Sequence, residues 1–166
     1  MAAPRNMTHG TLVIKDGTGT PETLTIPCRE GVLSFAEISE APVIKNRGVL
    51  YAFADPVQEA VDISFTLLFE EWQGKSASGS DPSPRDALKK EGNASGWTTT
   101  LTGGPYCVDL EFTIAKPSEP AATEENEVLT FSDFHADRCE FTEGEDVNRL
   151  VVTGKALITK PSVTRS

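Results

Sequence analysis

Along residues 61–71, Val61, Ile63, Phe65, Leu67 and Phe69 alternate with Asp62, Ser64, Thr66, Leu68 and Glu70. A period of two belongs to a β-strand with one dry face and one wettable face. The pattern returns at residues 106–115, where Tyr106, Val108, Leu110, Phe112 and Ile114 alternate with Cys107, Asp109, Glu111, Thr113 and Ala115. A third alternation, at residues 149–159, sets Leu150, Val152, Gly154, Ala156 and Ile158 against Arg149, Val151, Thr153, Lys155 and Leu157. The wettable sides of the first two strands carry carboxylates and neither Lys nor Arg.

Shorter runs complete a mainly β reading. Residues 11–15 and 22–26 flank the turn-rich stretch Asp16-Gly17-Thr18-Gly19-Thr20-Pro21, which suits a hairpin connection, and residues 32–35 form a further strand. Residues 37–59 are unusual, because Pro42, Gly48 and Pro56 punctuate the apolar pieces Val43-Ile44 and 49–53. Such a segment is either a hairpin lying on the core or an arm that reaches a neighbouring subunit. Residues 74–84 are loop-like by composition.

One helix is expected. Ser83 caps it, Pro84 suits its first turn, Asp86 complements the positive end of its dipole, Lys89 and Lys90 suit the last turn, and Gly92 ends it. Trp97 is placed to pack under the helix end. Residues 116–127, with Pro117, Pro120, Glu119, Glu124, Glu125 and Glu127, read as an exposed acidic loop. Residues 128–134 and 138–142 read as two strands, followed by a turn at 143–146. The fold class is therefore mainly β, a β-sandwich or barrel with one short flanking helix. Residues 10–160 form a single domain between an N-terminal arm (1–9) and a C-terminal tail (161–166).

A chain of 166 residues buries a sufficient core without disulfides or metal. The formal net charge of −10 argues against gripping nucleic acid, which relies on clustered Lys and Arg. Cys28, Cys107 and Cys139 fit neither a paired disulfide framework nor a zinc spacing, and point to reduced thiols in a cytoplasm. Residues 1–10 lack the apolar stretch of a signal peptide, and no run approaches the roughly 20 apolar residues that cross a bilayer. The expectation is a soluble protein made in the cytosol, without membrane partners.

Candidate chemistry is thin. Gly17 and Gly19 lack the third glycine and the following helix of a phosphate-cradling loop. Asp133, His135, Asp137 and Cys139 occupy alternate positions of a strand, but such positions lie about 7 Å apart and converge on one ion only with a bulge. His9 and His135 are the only histidines, and no nucleophile motif surrounds either. No catalytic residue, metal site or cofactor is expected, and the chain does not read as an enzyme.

The order of features resembles the tail tube (major tail) proteins of long-tailed, non-contractile bacteriophages and phage-like particles. The resemblance runs over residues 10–160. It opens with Gly10-Thr11-Leu12-Val13-Ile14-Lys15-Asp16-Gly17-Thr18-Gly19 and continues through Asp62-Ile63-Ser64-Phe65-Thr66-Leu67-Leu68-Phe69, Pro84-Arg85-Asp86-Ala87-Leu88-Lys89 and Trp97-Thr98-Thr99-Thr100. It ends with residues 106–114, Leu129-Thr130-Phe131-Ser132-Asp133-Phe134 and the closing strand. It implies a tail-tube-like β fold, six copies closed into a ring, and rings stacked into a tube through which DNA passes without specific binding. Related tubes in contractile tails and type VI secretion systems share that architecture. Partners so implied are further copies of the chain and other tail proteins such as tape measure, terminator and distal tail proteins. The implied location is the virion tail, after synthesis in the host cytoplasm.

On that resemblance Asp62, Ser64, Thr66, Glu70, Asp109, Glu111 and Thr113 are candidates for the lumen, where repeated carboxylates repel DNA phosphates. Val43, Ile44, Val49, Leu50 and Phe53 are candidates for a subunit interface, since head-to-tail assembly needs two complementary surfaces per copy. The competing readings are a capsid decoration or tail-completion protein and a carbohydrate-binding β-sandwich. The last needs aromatic platforms, whereas Trp72 and Trp97 flank the helix region.

Overall fold

The computed structural model describes residues 10–28, 33–68, 81–115, 125–143 and 149–165. The expected N-terminal arm, Phe69, Glu70, Trp72, residues 116–124 of the acidic loop and residues 144–146 of the acidic turn lie outside the described residues. In chain order the strands are β1 (Gly10–Lys15), β2 (Thr23–Cys28), β3 (Leu33–Ala36), β4 (Val43–Asn46), β5 (Val49–Phe53), β6 (Val61–Leu68), β7 (Val108–Ile114), β8 (Glu127–Thr142), β9 (Arg149–Ala156) and β10 (Ser162–Arg165). Among the described residues one helix, α1 (Pro84–Lys89), and a 3-10 turn (Gly92–Ala94) lie between β6 and β7.

Eight strands form one antiparallel sheet in the order β2-β1-β7-β8-β9-β6-β3, with β10 also paired to β8, while β4 and β5 form a ribbon of their own. The three long alternations keep their phase: Val61, Ile63, Phe65 and Leu67, Val108, Leu110 and Phe112, and Leu150, Val152 and Ala156 are all buried. These rows fall on the concave side of a sheet that curls until β6 faces β7. Phe65 therefore meets both Phe112 and Phe134, and Phe35 of β3 meets Phe131 of β8. Among the described residues β2 and β3 end the path, and the sheet is a sandwich-like curl in which no closure is found.

β8 corrects a boundary. Residues 128–134 and 138–142, read as two strands, belong to one strand of 16 residues. Its buried positions run Leu129, Phe131, then Phe134, Ala136, so the alternation slips at Ser132-Asp133. Asp133 sits in the left-handed region (φ 54°), which Asp tolerates better than most residues, and the register against β7 shifts there. A second shift separates Ala136 from Arg138 against β9. Each bulge bends the strand, which lets β8 serve β7 and β10 with one end and β9 with the other. The residues read as a C-terminal tail include β10, whose Ser162–Arg165 pair with residues 127–130.

α1 has the expected start. Ser83 accepts from the Asp86 backbone N–H, and the Asp86 carboxylate accepts in return from Ser83 N–H, which closes a capping box. It ends earlier than expected, because Lys90 and not Gly92 takes the left-handed capping conformation. Gly92 has another reason to be glycine: its φ is +51° and a Cβ there would press on the Asp86 carboxylate. Ala87, Leu88, Ala94 and Trp97 join the main core. Tyr106 Oη donates to the Ala87 carbonyl at 2.8 Å and Lys89 Nζ to the Ala136 carbonyl, so the helix caps one end of the sheet. Burial, reinforced by the Asp16 charge, pushes the Tyr106 phenol above its ordinary range.

Asp16 secures the same end. It is the one buried charged side chain among the described residues, 3% exposed. Its Oδ1 accepts from Thr18 N, Thr18 Oγ1 and Glu22 N, and its Oδ2 from Thr98 N at 3.1 Å. Burial by itself raises the carboxyl pKa, but hydrogen bonds from Thr98, Thr18 and Glu22 outweigh it and hold the group below its usual value. Gly17 completes the joint. Its N–H donates to the Thr98 carbonyl at 2.8 Å, and a Cβ there would run into the Thr99 carbonyl.

Candidate functional site

The ribbon β4–β5 is the most conspicuous surface of the molecule. Asn46 pairs with Val49 across a two-residue turn in which Arg47 (φ 51°) and Gly48 (φ 81°) both take positive φ, as a type I′ hairpin requires. The legs continue past the strands, with Ala54 N–H donating to the Pro42 carbonyl and Val57 N–H to the Glu40 carbonyl. The ribbon does not lie on the core, as the first of the two readings of residues 37–59 had it. Every residue of both strands is exposed, and Val49, Leu50, Tyr51 and Phe53 reach 69%, 71%, 75% and 74%. Val43 and Ile44 are exposed as well.

β5 is apolar at all five positions, so neither face of the ribbon is its wet face. An isolated two-stranded hairpin is marginal in water, and a contiguous exposed apolar surface of this kind marks a contact site. Burying Val, Leu, Ile or Phe is worth about 1.5–3 kcal/mol each, so five such side chains contribute on the order of 10 kcal/mol when covered. That is comparable with the cost of immobilising a partner, roughly 4–15 kcal/mol.

The residues read as one lumen surface divide between two faces. Since Phe65 of β6 and Phe112 of β7 point at each other, the outward residues of the two strands point apart. Asp62, Ser64 and Thr66 share a face with their β9 partners Lys155, Thr153 and Val151. Asp109, Glu111 and Thr113 share the opposite face with Lys15, Val13 and Thr11 of β1. Neither face is purely acidic. Asp62 lies 3.6 Å from Lys155 Nζ, and Glu111 pairs with Lys15. The strands lack Lys and Arg, as the sequence reading noted, but their neighbours supply them.

Asp109 has a local duty. Its Oδ1 accepts from Asp133 N–H at 3.0 Å and so holds the bulge in β8, while Leu157 N–H donates to the Asp133 carbonyl. Burial raises its pKa, against the opposing pull of the Asp133 N–H.

The alternate quartet Asp133, His135, Asp137 and Cys139 does not converge. The bulges that convergence would need are present, but they do not gather the four side chains round one point. His135 Nδ1 lies 2.8 Å from the Tyr106 carbonyl and Nε2 3.9 Å from Asp137, whereas Cys139 is half-buried against the core. Among the described residues no group of three or more His, Cys, Asp or Glu is placed to hold a metal ion. None of the three cysteines is in a disulfide, and burial raises the pKa of Cys107 and Cys139. No described helix is long and apolar enough to cross a membrane.

No protein-family model matches the chain, and no curated protein does. A solved structure does match it. A chain in the cryo-EM structure of the anti-feeding prophage (AFP) baseplate, 6-fold symmetrised, aligns over 99% of this chain and 97% of its own length, with a TM-score of 0.52 at 8% sequence identity. The likeness is therefore one of fold, and it extends over the whole domain.

Proposed function

We propose that the chain is a structural subunit of a phage-tail-like particle, six copies of which close into a ring and whose rings stack into a tube that lets DNA pass. The observation that carries this reading is the apolar arm β4–β5, which projects from an otherwise well-packed fold and is exposed at every position. A protein that polymerises head to tail needs one surface that projects and one that receives. The full-length fold likeness to a chain of a six-fold symmetrised baseplate supports the same reading.

In the ring, Val43, Ile44, Val49, Leu50 and Phe53 are buried between copies, which also removes the exposed edges of the ribbon from uncontrolled pairing. One of the two outer faces lines the channel. The face of β1, β7 and the first part of β8 suits it better, because Thr11, Thr113 and Thr130 surround Glu111 and Asp109 there and Lys15 is matched to Glu111. A hydroxyl-rich, weakly acidic wall does not hold phosphates. Other tail proteins, among them tape measure, terminator and distal tail proteins, meet the ends of the tube. The protein is made in the host cytoplasm and resides in the tail of the particle.

Electron microscopy of concentrated, purified protein tests this reading. Hollow six-fold rings or stacked tubes in end-on class averages are the expected result. A persistent monomer overturns it, and a closed oligomer that coats a capsid points instead to a decoration protein.

A further inference from the structure

The arm is electrically polar along its length. Between Glu37 and Glu59 the only cations are Lys45 and Arg47, both at the tip, and the anions Glu37, Glu40, Asp55 and Glu59 all lie at the base. All six are exposed, and none of them is a member of the ion pairs found among the described residues. None of them forms an ion pair with another within a copy. Extended chain rises about 3.4 Å per residue, so tip and base charges stand roughly 14 Å (Lys45 and Asp55) to 24 Å (Arg47 and Glu40) apart along the ribbon. That is about two to three Debye lengths at physiological ionic strength. An acidic base on another copy is the complementary partner for a basic tip.

The base has room to receive it. Glu37, Ile38, Asp55, Val57, Thr159 and Lys160 line an open groove of about 520 Å³ where the legs of the arm meet the segment between β9 and β10. Its apolar members suit Val49 or Leu50 of an incoming arm. Its carboxylates, with Glu40 and Glu59 beside them, outnumber Lys160.

We propose that the arm docks tip to base: Lys45 and Arg47 of one copy meet the Glu37, Glu40, Asp55 and Glu59 cluster of a second copy of this chain. The proposal rests on the assembly reading above and adds to it the direction and register of the contact. Apolar burial is indifferent to register on a ribbon that is apolar on both faces, whereas opposite charges at its two ends select one. Tip-to-tip and base-to-base encounters then repel.

The test is sedimentation of the full-length protein over a concentration series at low and at high sodium chloride. Three forms are compared: wild type, K45E/R47E, and K45E/R47E combined with E37K, E40K, D55K and E59K. All substitutions are at exposed positions, and circular dichroism checks that each variant folds. Wild type is expected to assemble less readily as salt rises. Reversing the tip raises the concentration needed for assembly about tenfold or more, and reversing both ends restores it. Tubes that form equally well with the reversed tip and at high salt overturn the register proposal and leave the assembly reading standing. A wild type that stays monomeric at every concentration overturns both.

Discussion

Phe65 and Phe112 meet edge to face, with ring centroids 5.6 Å apart and planes at 70°, although β8 and β9 separate their strands in the sheet. This contact is what curls an open sheet into a core. It also turns the polar side of β6 away from the polar side of β7. Phe65→Ala and Phe112→Ala are each expected to cost about 3–5 kcal/mol of stability. A double-mutant cycle in urea is expected to give a coupling of about 0.5–1.5 kcal/mol, and additive losses would mean that the two rings do not pack on one another.

The interior was legible where period-two alternation ran unbroken. Val61 to Leu67 and Leu150 to Ala156 announce both the strand and its buried side. The relation between strands was not legible, since alternation reports which residues share a face and nothing about which way the sheet curves. Asp62 and Asp109 therefore looked alike in sequence and lie on opposite faces. β8 was divided wrongly for a related reason: the gap read at 135–137 falls where the register against β9 shifts, between Ala136 and Arg138, and a shifted phase reads as a break. The arm was legible as an anomaly, an apolar run with the punctuation of a loop, but no local pattern tells a covered hairpin from a projecting one.

Asp109 separates the two roles a carboxylate can have on that outer face. If its duty is to hold the Asp133 N–H, an acceptor is required and a charge is not. Burial raises its pKa, so the ionised form is the disfavoured one in the fold, and its contribution to stability falls as pH rises through that raised value. Asp109→Asn, which keeps the acceptor, is expected to fold as well as wild type or better at neutral pH. Asp109→Ala leaves the N–H without its partner and is expected to cost about 1–3 kcal/mol by thermal or urea unfolding. Equal losses in the two variants would show that the charge itself matters there.

Asp16 carries the opposite sign. Its folded pKa lies below the ordinary value of 3.8, so its stabilisation is fully present above that value and is lost as pH falls through the lower folded value. Stability measured against pH is expected to drop more steeply below about pH 4 in wild type than in Asp16→Asn. At neutral pH Asp16→Asn is itself destabilised, because its amide keeps one oxygen for the Thr18 and Glu22 donors and presents N–H to Thr98 N–H. A variant with wild-type stability at neutral pH would remove Asp16 as the joint between the first hairpin and residues 98–99.

Gly154 lies where β9 passes beneath the Phe134 ring. A Cβ there would strike the His135 carbonyl and the ring itself, so no rotamer change of an exposed side chain relieves the clash. Gly154→Ala is expected to destabilise by about 1–3 kcal/mol, the usual cost of overpacking. Gly154→Ala in a Phe134→Leu background should cost less than the sum of the two single substitutions. Strict additivity in urea unfolding would place the strain on the backbone alone.

The arm offers the sharpest separation of folding from assembly. Leu50, Tyr51 and Phe53 touch no part of the buried core, and surface substitutions of that kind usually change stability by no more than about 0.5 kcal/mol. Replacing all three with Ser is therefore expected to leave the unfolding midpoint of the monomer in place. If these side chains are the ones buried between copies, the same protein loses several kcal/mol of apolar burial per contact and fails to form rings or tubes under conditions where wild type does. Removing residues 43–53 altogether and closing the gap with a short Gly-Ser turn is expected to give the same folded, non-assembling monomer. Normal tubes from either protein would show that the contacts lie elsewhere on the sheet, and a collapse of monomer stability would show that the ribbon belongs to the fold of the single chain after all.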